Sequence, residues 1–311
     1  MRLLIFIIFP IIFFFTNLCY SNNKNNSVNI LSQSSDIIGK EVKYTVREKE
    51  TLIDIARKFD ISFADIMSAN GRIDPWLPKI NRKILIPKRH IMPSVKRDGI
   101  IINLGDLRIY FYKNHLLIGT YPIGIGRSGW ETPLGLAEVI EKKIDPFWIP
   151  PDSVREEDPS LPKIVAPGEE NPLGTRAIYL SMPSYLIHGT NKPYGVGMKV
   201  SHGCIRMYPE DVESLFDLVE VGTKVNIINE PIKVGWHNND LYIEVHQLPA
   251  YASEKNTLEN KDRRNLYPLA TTMVQKVAGV NITEVDWEVV FKSVIEAKGI
   301  PTKISEEETK Q

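Results

Sequence analysis

An almost unbroken apolar run occupies residues 3–15, preceded by Met1 and Arg2 and followed by Thr16-Asn17-Leu18-Cys19-Tyr20-Ser21. One positive charge, about 13 apolar residues and then small polar ones form the pattern of a secretory signal peptide. The run is shorter than the ~20 apolar residues of a membrane-spanning helix. Residues 1–21 are therefore expected to be removed on export, after Cys19 or after Ser21, with an uncleaved anchor as the competing reading. Residues 21–40, rich in Asn and Ser, read as a flexible leader. From Val42 a periodic texture begins. Tyr44-Thr45-Val46 reads as a strand, and Leu52, Ile55, Ala56 and Phe59 share one helical face behind a Thr51/Asp54 cap. Ser62 and Asp65 repeat that cap spacing before Phe63, Ile66 and Met67, and Asn70-Gly71 ends the second helix. Ile84-Leu85-Ile86-Pro87 closes a βααβ unit over residues 42–88, and residues 89–97 read as a basic, Pro-containing linker.

Residues 98–230 carry short β-like runs at 100–104, 107–112, 116–123, 136–140, 177–180 and 224–228, separated by turns such as Gly105-Asp106. They predict a mainly β domain, a sandwich or barrel. One helix interrupts it, with Pro209 at its first position and Val212, Leu215, Phe216 and Val219 on its buried face. Residues 145–175 hold seven prolines and little periodicity. A loop of that length is unusual as a mere connection and reads as a rigid lid or substrate wall. Residues 231–311 read as a tail of one strand, at 241–245, and two amphipathic helices. The first helix bears Leu266, Leu269, Ala270, Met273 and Val277, and the second Trp287, Val290, Phe291, Val294 and Ile295.

Charge and cysteine content narrow the function classes. Lys+Arg and Asp+Glu each total 38, and this balance argues against a nucleic-acid partner. Two cysteines cannot build a disulfide scaffold. Loss of Cys19 with the leader would leave Cys204 alone in an oxidising compartment, either buried and inert or reactive for a purpose.

Cys204 sits in Ser201-His202-Gly203-Cys204-Ile205-Arg206, and His188-Gly189-Thr190 precedes it. A thiol near its ordinary pKa of about 8.5 is scarcely ionised at pH 7, and an imidazole can take its proton and hold the thiolate as an ion pair. In an extended segment His202 would share a face with Cys204. His188 ends a predicted strand, Tyr185-Leu186-Ile187-His188, which could pair with the cysteine segment. Gly189 and Gly203 would let the backbone approach a ligand, and the amides near Gly203 and Cys204 are oxyanion-hole candidates. A His₂Cys metal site formed by His188, His202 and Cys204 is the alternative.

The stretch "YLIHGTNKPYGVGMKVSHGCIRM", with "GIGRSGWETPLG" and "NPLGTRAIYLS" before it, resembles the YkuD-type L,D-transpeptidase catalytic domain over residues 98–230. "YTVREKETLIDIARKFDISFADIMSAN…ILIP" resembles a LysM domain, departing from it at Lys49-Glu50, where Gly-Asp is usual. The resemblance implies a β-sandwich catalytic domain and a glycan-binding module that raises local substrate concentration. It implies Cys204 as nucleophile, His188 as general base, and His202 and Arg206 as residues that shape the site and help bind substrate. Ser201 and Gly203 complete the motif, Thr190 follows the His-Gly pair, and the Gly189 carbonyl would orient the base. The activity implied is periplasmic acyl transfer on peptidoglycan. A tetrapeptide stem would lose D-Ala to form a thioester, which an amine of another stem or of an outer-membrane lipoprotein would take. No cofactor or metal is required. An L,D-carboxypeptidase or endopeptidase, or a non-catalytic wall-binding protein, are the alternatives.

Overall fold

A computed structural model describes residues 35–247 and 264–306. The expected signal peptide, Cys19 and most of the expected leader lie outside the described residues. Among the described residues no helix is long and apolar enough to cross a membrane.

The βααβ unit is present. Strands β2 (Val42–Thr45) and β3 (Lys83–Ile86) pair antiparallel around α1 (Leu52–Lys58) and α2 (Phe63–Asn70). Thr51 Oγ1 accepts from the Asp54 amide at 3.1 Å while Asp54 returns to the Thr51 amide at 3.0 Å, a full capping box. Ser62 caps α2 through the Asp65 amide at 2.9 Å. The Asp65 carboxylate, however, turns into the junction described below. Leu52, Ile55, Ile61, Ile66, Ile84 and Ile86 fill the small core.

Residues expected to be flexible are fastened. Strand β1 (Ile37–Ile38) pairs with β4 (His90–Ile91), and Arg97 Nη2 meets Asp36 Oδ1 at 2.6 Å. Residues 36–38 and the linker thus close over the β domain, because Met92, partly buried Ile38 and Val95 pack against Ile101, Tyr110 and Tyr112.

The β domain is built on a mixed eight-stranded sheet. Its strands are β5 (Gly99–Asn103), β6 (Arg108–Lys113), β7 (Leu116–Pro122), β9 (Gly135–Ile144), β10 (Arg176–Leu180), β11 (Leu186–His188), β13 (Ile205–Arg206) and β14 (Lys224–Ile228). Their spatial order is β13-β11-β10-β9-β14-β5-β6-β7. Strand β5 is buried along its whole length: Ile100 and Ile102 enter the main core, while Ile101 faces the linker. Its unbroken apolar run follows from burial on both faces. Helix α4 (Pro209–Leu218) has Pro209 at its first turn and sends Val212, Leu215 and Phe216 into the main core. A separate parallel pair, β8 (Ile125–Gly126) with β12 (Lys199–Ser201), stands beside the sheet.

Residues 145–175 contain a short helix, α3 (Asp152–Glu157), that the sequence pattern did not reveal. Trp148 and Val165 exchange backbone hydrogen bonds of 3.0 and 2.8 Å across the segment, and Asn171 Nδ2 donates to Pro146 O at 2.8 Å.

The tail exceeds one strand and two helices. Strands β15 (Ile232–His237), β16 (Asp240–Val245) and β17 (Thr302–Lys303) form a sheet, with α5 (Tyr267–Ala278) and α6 (Trp287–Glu296) packed on it. Asn238 and Asn239 both adopt positive φ, 50° and 67°, as a two-residue turn between β15 and β16 requires. The unit has its own core, including Val234, Ile243, Val274 and Val294.

Three units meet at a buried charged cluster. Lys233 Nζ lies 2.7 Å from Asp106 Oδ2 and 3.2 Å from Glu244 Oε1, and it donates to Tyr110 OH at 3.0 Å. His246 Nε2 reaches Glu244 Oε1 at 2.7 Å, and His246 Nδ1 lies 3.4 Å from Asp65 Oδ1 of α2. His90 Nδ1 lies 3.2 Å from Glu244 Oε1, and Arg108 Nη2 lies 3.7 Å from Asp65 Oδ2. Outside the cluster, Arg57 of α1 grips Glu210 of α4 through two hydrogen bonds of 2.9 and 3.0 Å. The βααβ unit is therefore docked, not swinging on a linker.

Candidate active site

Cys204 lies where the chain crosses from β12 to β13. Strand β13 runs parallel to β11, with Ile187 opposite Ile205 and His188 opposite Arg206, so the sheet edge brings the motif and the earlier histidine together as anticipated. Cys204, His188, His202, Ser201 and Arg206 all line one cavity of about 1140 Å³, together with Trp130, Tyr185, Phe147 and Trp148. The last two come from residues 145–175, so that segment does wall the cavity.

The motif is not extended. Gly203 has φ +102°, and a Cβ there would stand 2.8 Å from the Tyr185 ring. That backbone and that contact require glycine. Gly189 likewise packs its backbone against Val212 of α4. Ser201 folds the turn: its hydroxyl donates to Cys204 O at 2.6 Å and accepts from Gly203 N–H at 3.1 Å. That amide is engaged and does not serve as the expected oxyanion donor. Thr132 adds a second clamp that sequence reasoning missed, donating to Gly203 O at 2.7 Å and accepting from the Gly126 amide at 3.1 Å.

His188 is buried, and its Nδ1–H donates to Gly189 O at 2.6 Å. That bond fixes the tautomer and leaves Nε2 with its lone pair. Burial, and then the Arg206 charge, push the imidazole down to about 3, against the pull of the Gly189 carbonyl. Burial pushes the Cys204 thiol up, opposed by a backbone hydrogen bond from Leu186 and by Arg206. Both shifts favour the uncharged forms of the two groups. The thiol itself donates to Ser184 O at 3.5 Å. Ser184 stands in a left-handed turn, φ 71°, between β10 and β11.

His202 is placed differently from the sequence expectation. Its Nε2 lies 3.0 Å from Glu157 Oε2 and 3.0 Å from Arg127 Nη2, and its ring meets Trp130 edge-on at 4.9 Å. Thr190 is buried, with Oγ1 accepting from the Lys192 amide at 2.9 Å, and it braces the turn after β11. Arg206 lines both the thiol cavity and a neighbouring one of about 720 Å³ that also contains Glu170, Lys192 and Tyr194. Its buried Nε has no hydrogen-bond partner among the described residues. No group of three His, Cys, Asp or Glu side chains suited to a metal ion occurs among the described residues.

The model of the L,D-transpeptidase catalytic domain (YkuD) matches residues 97–227, and that of the LysM domain matches residues 44–87. The chain is similar to the Escherichia coli K12 protein named "Probable L,D-transpeptidase YcfS", at 39% identity over 72% of this chain and 73% of that one. It is similar to "Probable L,D-transpeptidase ErfK/SrfK" of the same organism, at 34% identity over 88% of this chain and 89% of that one. The solved catalytic domain of an Enterococcus faecium L,D-transpeptidase is 21% identical, covering 44% of this chain and 100% of that one with a TM-score of 0.34, too distant to bear on the fold. Two domain models in the expected order and relatives matched at this identity over more than two thirds of both chains lead to one conclusion: the chain belongs to the L,D-transpeptidase family.

Proposed function

We propose that the protein is a peptidoglycan L,D-transpeptidase in which Cys204 is the nucleophile and His188 the general base. The observation that carries this reading is a thiol, the one free cysteine among the described residues, and an imidazole kept neutral by burial and Arg206 and oriented by the Gly189 carbonyl, both opening on one large cavity. Cys204 Sγ attacks the carbonyl carbon of the third residue of a tetrapeptide stem as its proton passes to His188 Nε2. The tetrahedral adduct collapses, and the imidazolium returns that proton to the departing D-Ala amine, leaving a thioester. An acceptor amine then loses a proton to the imidazole and displaces the thiolate. The acceptor is a second stem or a lysine of an outer-membrane lipoprotein. A base with a low pKa is a weak proton acceptor, so its use here depends on the thiol rotating from Ser184 O toward Nε2 as substrate displaces water.

Arg206, with no carboxylate partner among the described residues, is suited to draw a stem carboxylate into the cavity. Its place between two cavities supports a reaction with two peptide substrates over simple hydrolysis. The apolar run at residues 3–15 supports export and a periplasmic setting for this chemistry. The LysM domain supplies contact with the glycan.

The test is mass spectrometry after mixing the protein with a tetrapeptide stem. Cys204 should gain the mass of the stem less D-Ala, and Cys204→Ser should gain no thioester. Release of the tripeptide without transfer to any added amine would favour the carboxypeptidase reading.

A further inference from the structure

Glu157 ends α3, in the Pro-rich segment that walls the thiol cavity, and side chains from two other stretches converge on it. His202 Nε2 lies 3.0 Å from Glu157 Oε2, Arg127 forms an ion pair with the same oxygen, and Trp130 Nε1–H donates to Oε1 at 2.9 Å. Arg127 and Trp130 belong to the turn after β8, and His202 belongs to the Ser-His-Gly-Cys motif. One carboxylate thus joins the cavity wall, the β8 turn and the cysteine motif. The contact is electrostatically committed: the His202 hydrogen bond, despite some opposing desolvation, holds the Glu157 carboxyl below the usual carboxylate range, with Trp130 and Arg127 adding to it.

A single nitrogen, His202 Nε2, faces both the carboxylate and the Arg127 guanidinium at 3.0 Å. Loss of the carboxylate would leave Arg127 as the remaining polar partner of that nitrogen. The orientation of the motif histidine therefore depends on a residue of the wall.

We propose that Glu157 is a positioning residue for acyl transfer: through His202, Arg127 and Trp130 it fixes α3 and the adjoining Phe147 to Val154 wall against the Cys204 motif, and so sets the surface on which the donor stem binds. This rests on the thiol cavity being the donor site, as read above. Glu157 itself touches no reacting atom in this scheme. Its loss should act on binding more than on bond-making.

The test compares wild type, Glu157→Gln, Glu157→Asp and the double variant Glu157→Gln/Arg127→Gln. Glu157→Gln should raise KM for a tetrapeptide stem about fivefold with kcat nearly unchanged, the scale of a half-exposed charged contact. Glu157→Asp, which keeps the charge, should recover part of that loss. The double variant should be no worse than Glu157→Gln, because both changes break one cluster. Hydrogen exchange, which needs no substrate, should be faster at amides 147–158 in Glu157→Gln, while β5 and β6 exchange as in wild type. An unchanged KM with unchanged exchange overturns the proposal, as does a loss confined to kcat. If wild type shows the exchange contrast with Glu157→Gln but acylates no stem, the donor-site reading fails and the wall contact stands.

Discussion

His188 lies directly opposite Arg206 in the β11–β13 ladder, and behind burial the guanidinium is the second force keeping the imidazole uncharged. Arg206 acts in the opposite sense on Cys204, favouring the thiolate that burial disfavours. One cation thus lowers the cost of charge on the Cys204 thiol while opposing charge on the His188 imidazole. In the mechanism proposed above, the proton would pass between them at the moment of attack, without a standing thiolate.

Alkylation of wild-type Cys204 by iodoacetamide should rise with pH in one step above the ~8.5 of an ordinary thiol, with no plateau through ~6.5. His188→Ala should leave that midpoint in place and reduce stem turnover by about 10²–10⁴. A low-pH plateau in wild type that disappears in His188→Ala would establish an ion pair instead.

His246 gives the fold an alkaline limit. Burial disfavours its charge, yet hydrogen bonds donated to Asp65 and Glu244 outweigh burial and raise it to about 9. A raised folded-state pKa means that the stabilisation is complete below the unfolded value of ~6.5 and is lost as pH rises through about 9. Urea midpoints should fall across that window in wild type. His246→Gln should be less stable at pH 6 and show a flatter profile. Identical profiles would remove His246 from the account.

Lys233→Met should be among the most damaging single substitutions. It leaves Asp106 and Glu244 buried without their shared cation, and breaking a buried pair from one side costs about 3–5 kcal/mol. Thermal unfolding should shift for the chain as a whole, since the residues concerned belong to two units and border a third. A shift confined to the C-terminal unit would contradict that coupling.

Thr132→Val should disturb catalysis without dismantling the sheet. It removes the donor to Gly203 O and the acceptor for the Gly126 amide, at a cost of about 1–3 kcal/mol for buried groups left unpaired. The expected result is a kcat reduced about tenfold, with Thr132→Ser close to wild type because the hydroxyl is retained. Loss of activity in Thr132→Ser with Thr132→Val close to wild type would assign the effect to the methyl group's packing.

Local patterns carried much of this architecture. The Thr51/Asp54 cap and the Pro209 helix start follow from spacing within a few residues, and the pairing of the His188 strand with the cysteine segment was open to expectation from the β-like run that ends at His188. The orientation of His202 did not follow, because period-two reasoning assumes an extended chain and Gly203 breaks it at φ +102°. Glu157 was illegible for a different reason: it is 45 residues from His202, inside a segment without periodicity. The β15 strand had a readable signal in Asn238-Asn239, whose residue type tolerates the paired positive φ of a hairpin turn. Asp65 gave a misleading one: its spacing suits a reciprocal cap, and only the fold reveals His246 and Arg108 waiting for it.

Asp65 also decides what kind of instrument the whole molecule is. A helix of the LysM domain is pinned through that carboxylate to the catalytic sheet and to the C-terminal unit, with Arg57 and Glu210 as a second rivet. A wall-binding module on a loose cord would let the thiol sample every stem within reach. Here those contacts hold the LysM domain at one separation and bearing from Cys204, the arrangement of a caliper. If the domain grips the sugar strand as proposed, that grip would select which rung of the peptide ladder meets the thiol, and position along the polymer would become part of substrate specificity.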